Sequence, residues 1–174
     1  MSNLLISYPI LSTADHRWIQ ELRKANDPMY YDVVKPHITL VFGTEKLNLD
    51  QLRVHALKIL DEFRQFRIVL DRAQVVEDNS KKFFHTFLIP SVGYDEIIRL
   101  HDSLYTYELQ SELRLDIPFI PHIGIGTSEN KDKMQSLVQF INKRNIRIEG
   151  LVESLSVVQY DGTTVTDRHV LELS

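Results

Sequence analysis

Two short stretches decide how this chain folds: Lys35-Pro36-His37-Ile38-Thr39-Leu40 and, 85 residues further on, Ile120-Pro121-His122-Ile123-Gly124-Ile125. Each passes from a proline into a two-residue alternation, the period of a half-buried strand. His37, Thr39 and Val41 are predicted to share one face, with Ile38, Leu40 and Phe42 on the other. The second copy places His122, Gly124 and Gly126 together, opposite Ile123 and Ile125. The isoleucine faces supply core, so the histidine faces look the other way.

The flanking sequence repeats in the same order. Residues 4–10 read as a strand closed by Pro9, and Ser12-Thr13-Ala14-Asp15 as a capped helix start. That helix sets Trp18, Ile19, Leu22 and Ala25 on one side. Past the first motif, residues 48–63 carry Leu49, Leu52, Ala56, Ile59, Leu60 and Phe63 at helical spacing. Residues 66–76 are strand-like, and Asp78-Asn79-Ser80 marks a turn. The order then begins again: a strand over 83–90 ending in Pro90, and a helix from Tyr94 with Ile97, Leu100, Leu104 and Tyr107 in one stripe. The second motif strand follows, then a helix with Met134, Leu137, Val138 and Ile141. Residues 146–160 are strand-rich, Asp161-Gly162 is a turn, and 168–173 form a closing strand. Pro9 and Pro90 correspond at an offset of 81 residues. Two copies of this kind are an internal duplication rather than an array. The expectation is a single bilobal domain over 1–174, with pseudo-repeat lobes about 1–80 and 81–174, and both histidines in one groove between them.

Composition narrows the chemistry. The 174 residues include no cysteine and 7 histidines, with 43% hydrophobic and 25% charged residues and a formal net charge of −4. That is an ordinary globular make-up. Lack of cysteine removes disulfides, thiolate metal sites and cysteine nucleophiles. A mildly acidic chain is not built for bulk duplex DNA or anionic lipid. No apolar run approaches a membrane span and the start does not read as a signal peptide, so the expected setting is the cytoplasm. Paired imidazoles suit general acid–base work near neutral pH, one taking a proton and the other giving one. A threonine on the same face can donate to an anionic oxygen.

The paired His-x-Thr-like motifs, His37-Ile38-Thr39-Leu40 and His122-Ile123-Gly124-Ile125, resemble those of the 2H phosphoesterase superfamily, notably the bacterial 2′-5′ RNA ligase and cyclic phosphodiesterase-like proteins. The resemblance extends over essentially the whole chain. It implies an α+β bilobal fold with two antiparallel-type sheets forming a concave groove and helices outside. It further implies a metal-independent enzyme without cofactor, acting on 2′,3′-cyclic or 2′-5′ phosphodiesters of a nucleotide or RNA terminus. His37 and His122 would be the acid–base pair, with Thr39 on a non-bridging phosphate oxygen.

Gly124 departs from the pattern, which has Thr or Ser there. Three readings are open. The glycine can admit a backbone N–H to the phosphate, Thr127 or Ser128 can substitute, or the site binds without efficient turnover. The last makes the chain a non-catalytic nucleotide or RNA-end binding module.

The other histidines carry less. His16 shares a polar helix face with Gln20 and Arg23, and His55 lies with Gln51, Lys58 and Glu62; both read as solvated. His101 reads as packed, and Phe119 as core. His85 and His169 fall in candidate strands, while Tyr30, Tyr31 and Lys35 sit in the approach to the first motif. No His pair has the spacing of a helical zinc site, so no metal is expected. Neither a dinucleotide loop, a P-loop nor a serine-hydrolase elbow is present. Oligomeric state is not readable from these features.

Overall fold

The computed structural model describes residues 1–78 and 82–174, so Asn79 and Ser80 of the expected turn lie outside the described residues. The elements in chain order are β1 (Ser2–Ser7), β2 (Ile10–Leu11), α1 (Thr13–Asn26), β3 (Ile38–Thr44), α2 (Leu49–Leu60), β4 (Phe66–Glu77) and β5 (Phe84–Val92). They continue with α3 (Tyr94–Leu104), a 3-10 helix (Tyr107–Glu112), β6 (Ile123–Ser128), α4 (Lys131–Asn142), β7 (Ile148–Val152), β8 (Ser154–Tyr160) and β9 (Val165–Glu172).

Local chemistry sets the helix starts. The Ser12 side chain accepts from the Asp15 backbone N–H, and Asn48 and Gln51 cap α2 reciprocally. The turn into α3 rests on Gly93, whose φ of 81° suits a residue without a Cβ; a Cβ there would also lie 2.6 Å from the Arg67 carbonyl oxygen.

The two prolines at equivalent points do different work. Pro9 ends the first strand early, and the chain re-enters as β2 in the other sheet. Pro90, expected to close its strand, lies inside β5 opposite Leu70, between two irregularities of the β4–β5 register. A bulged stretch tolerates the missing N–H. Tyr107 leaves the α3 stripe altogether: α3 stops at Leu104, and Tyr107 opens the 3-10 helix exposed to solvent.

The fold is α+β, with two antiparallel sheets and helices on their outer faces. One sheet has the order β3-β1-β8-β9, the other β2-β7-β4-β5-β6. Helices α2 and α3 lie against the first, whereas α1 and α4 lie against the second. The division into lobes at about residue 80 is therefore corrected, because each sheet draws strands from both halves. The reason is strand pairing. β1 pairs with β8 and β4 with β5, so the late strand of each half completes the sheet that contains the other half's first strand. Helix α1, from the first half, packs on β6, which follows the second histidine. One continuous core results, running from Leu5, Ile38 and Leu40 through Leu70 and Leu88 to Ile123 and Ile125.

Candidate functional site

The two motif strands, β3 and β6, are edge strands of different sheets. Ile38, Leu40, Ile123 and Ile125 are buried, as the alternation requires, which turns His37, Thr39, His122 and Gly124 into a shared cavity of about 880 Å³. The alternation then slips in both copies. Against the neighbouring strand, β3 carries an extra residue at Leu40 and β6 one at Ile125. A bulge shifts every later side chain by one face. Val41, expected beside His37, is buried in the core, and Phe42 lies 50% exposed on the groove. Gly126, expected beside His122, backs onto the helices, where a Cβ would come within 3.0 Å of Leu137 Cδ2 and 3.2 Å of Met134 Sδ. The Gly126 backbone still lines the groove, and Thr127 joins it there.

Both histidines are held alike. His37 Nδ1 lies 2.8 Å from the Lys35 carbonyl oxygen, and His122 Nδ1 lies 2.6 Å from that of Ile120. A carbonyl only accepts, so each bond requires the proton on Nδ1 and leaves the Nε2 lone pair free. Packing holds the rings in turn. Phe87 stacks on His122 with centroids 3.5 Å apart, and Tyr8 meets His37 edge-on at 6.4 Å while donating its hydroxyl to Asp167.

Burial pushes both imidazoles down to about 4, against the pull of their carbonyl partners; Arg23 lowers His37 further, and His37 and His85 lower His122. Free imidazole titrates near 6.5, so the unfolded chain binds protons first as the pH falls. The stability these histidines contribute is complete above about 6.5 and is lost as the pH falls towards about 4. Melting temperature is expected to drop between pH 7 and pH 4.5, less steeply in a His37→Gln/His122→Gln double variant. An unchanged slope in that variant would assign the loss to other groups. His85 and His101, also pushed down by burial, contribute in the same direction.

Around the pair, the groove has two unlike ends. One is aromatic: Phe119 stacks on His101 at 3.7 Å and meets Phe42 edge-on at 6.4 Å, while the Phe42 N–H donates to the Tyr105 hydroxyl at 3.0 Å. Phe119 packs against the core and also lines the groove, and His101 is packed as expected. The other end is polar. His85 Nδ1 lies 3.1 Å from Thr127 Oγ1, with Tyr30, Arg23 and Asp27 nearby on the same wall. Ser128, the other stand-in considered for position 124, accepts from the Asn130 N–H at the start of α4. Tyr31 and Lys35 line a separate cavity of about 230 Å³, and His169 sits on β9, 3.9 Å from Asp50.

Arg23, placed on a polar helix face, and His55, expected to be solvated, are both buried. Arg23 is 1% exposed; its guanidinium donates to Gln20 Oε1 and to the carbonyls of Tyr30 and Val34, and faces Asp27 at 3.5 Å. Its i, i+4 spacing from Ile19 is the signal that places it on the buried stripe. His55 is likewise buried, its Nε2 2.8 Å from the Leu104 carbonyl oxygen, three residues after Leu52. His16 is exposed. Among the described residues no three His, Asp or Glu side chains converge as metal ligands do, and no helix is long and apolar enough to cross a membrane.

Comparison with known proteins agrees with this architecture. The family described as the 2′-5′ RNA ligase superfamily matches residues 11–164. Escherichia coli LigT in apo form superposes with a TM-score of 0.59 at 17% identity, over 99% of this chain and 97% of that one. LigT complexed with 3′-AMP gives 0.60 at 14%, over 99% and 98%. Kluyveromyces marxianus Usb1 with uridine monophosphate gives 0.54 at 11%, over 98% of each chain. No curated protein matches the chain in sequence. With a family match over most of its length and the same two-sheet fold, the chain belongs to the 2′-5′ RNA ligase superfamily, within the 2H phosphoesterases.

Proposed function

We propose that this protein is a metal-independent phosphoesterase that opens a 2′,3′-cyclic or 2′-5′ phosphodiester of a nucleotide or RNA terminus, with His37 and His122 as its acid–base pair. The observation that carries the reading is the matched tautomer lock: two imidazoles in one cavity, each tied at Nδ1 to the carbonyl two residues back. Family membership supports phosphoester chemistry in general. The nucleotides bound by LigT and Usb1 support a nucleotide-sized ligand.

In the hydrolytic direction one Nε2 takes a proton from water as the water oxygen bonds to phosphorus. The bond from phosphorus to a ribose oxygen breaks opposite it, and the other histidine gives that oxygen a proton. With both values near 4, the resting pair is neutral at pH 7, so the acid needs its proton on substrate binding. A phosphate anion beside the imidazole favours that uptake. Thr39 donates to a non-bridging oxygen where charge builds up. The internal duplication belongs to the same proposal. Read from the motif strands inwards, β3-β1-β8 and β6-β5-β4 run in equivalent order, which supports two copies; β2, β7 and β9 lie outside that correspondence. A cytoplasmic setting is part of the same proposal.

Gly124 favours a second reading, a module that binds such termini without turning them over, since one hydroxyl donor is missing. A panel of 2′,3′-cyclic nucleotides and 2′-5′ dinucleotides assayed in EDTA separates the two. Turnover is expected for at least one member. Binding of the same compounds with no turnover would leave only the module.

A further inference from the structure

The two halves of the groove differ at one position directly in front of the histidines: Thr39 follows His37, and a bare hydrogen follows His122 at Gly124. A Cβ built on Gly124 meets nothing within 4 Å, so this glycine is not required by packing, unlike Gly126 two residues later. Its border is aromatic. Phe87 is the cross-strand partner of Gly124, and its ring lies flat on His122. The nearest hydroxyl further along the strand, on Thr127, is bonded to His85.

Resting on the phosphoesterase reading, that geometry has a stereochemical consequence. In an in-line displacement the attacking and leaving oxygens lie at the two ends, here between the imidazoles. The two non-bridging oxygens point sideways and are not equivalent in a chiral site. Thr39 covers one. We infer that Gly124 makes the groove one-handed at phosphorus: the oxygen on the Thr39 side is gripped, while the space at Gly124 accepts a larger, softer atom in place of the other. The ligands singled out are phosphodiesters substituted at one non-bridging position, such as a phosphorothioate.

The test uses the two diastereomers of uridine 2′,3′-cyclic phosphorothioate beside the oxygen compound, all in EDTA. Chemistry at phosphorus is nearly the same in both diastereomers, so their rate ratio reports the protein. Wild type is expected to turn over one within about threefold of the oxygen compound, and the other at least about tenfold more slowly, because sulfur is a poor acceptor for a preorganised donor. Gly124→Ala fills the space without adding a donor, and Gly124→Ser adds both. Each is expected to narrow the ratio by slowing the favoured diastereomer, and only Gly124→Ser to speed the oxygen compound. Melting temperatures confirm that both variants fold.

Equal slowing of both diastereomers by wild type, as a backbone N–H gripping the second oxygen would produce, overturns the inference. So does a ratio unmoved by Gly124→Ala. Should the oxygen compound not be turned over at all, it is the phosphoesterase reading that fails. Calorimetric Kd values for the two diastereomers then decide, and a ratio near one that Gly124→Ala leaves unchanged overturns the inference in that case too.

Discussion

Replacing either His37 or His122 by alanine is expected to lower turnover of a 2′,3′-cyclic nucleotide by about 10²–10⁴-fold, the range for removing a positioned acid or base. Each ring has its Nδ1 tied to a main-chain carbonyl and its Nε2 left for the groove, as a positioned acid or base requires. The double variant should lose little more than the worse single one, because an acid and a base that act in one step are not additive. The two roles separate with a uridine phosphodiester carrying a p-nitrophenyl leaving group, which departs without a proton. The variant lacking the acid recovers on that substrate; the variant lacking the base does not. Folding is not at stake to the same degree, since both side chains face the cavity rather than the core. Either single variant retaining more than about a tenth of wild-type rate would remove that histidine from the chemistry. Steady-state rates with melting temperatures for all three variants are sufficient.

The motif pair was legible because a strand's two-residue period is written in residue type. Ile38, Leu40, Ile123 and Ile125 declare the buried face, and His37 and His122 must then point away from it. The same logic failed at Val41 and Gly126, since a bulge is one extra residue and carries no compositional mark; only pairing with the neighbouring strand reveals it. Lobe boundaries failed for a related reason. Which sheet β4 and β8 join is decided by contacts distant in sequence, and local periodicity holds no information on that. Arg23 and His55 show a different weakness. Their spacing placed them on buried stripes beside Ile19 and Leu52, but their residue type argued for solvent. The partners that make burial tolerable lie in segments beyond their own helices: the carbonyls of Tyr30 and Val34 for Arg23, and that of Leu104 for His55.

Arg23 carries the largest expected stability effect outside the aliphatic core. Arg23→Met keeps the length of the stem and removes the guanidinium. Asp27 is then left buried without its cation, and the Tyr30 and Val34 carbonyls lose their donor. Breaking a buried pair from one side costs about 3–5 kcal/mol, chiefly through the charge left behind. Urea unfolding should register that loss. Removing the stranded charge as well, in Arg23→Met/Asp27→Leu, is expected to recover more than about half of it. Arg23→Lys should fall between, because an ammonium cannot hold the fork of acceptors that a planar guanidinium spans. A loss below about 1 kcal/mol in Arg23→Met would mean that the pair is no more than a surface bridge in energetic terms. The effect reaches the groove as well. The chain that Arg23 holds at Tyr30 and Val34 runs directly into Lys35, whose carbonyl sets the His37 tautomer. Arg23 also helps keep His37 neutral, so its loss should raise the pH at which His37 titrates. An NMR titration of the histidine ring protons would show that shift. A structural prop that worked through packing alone would leave the titration where it was.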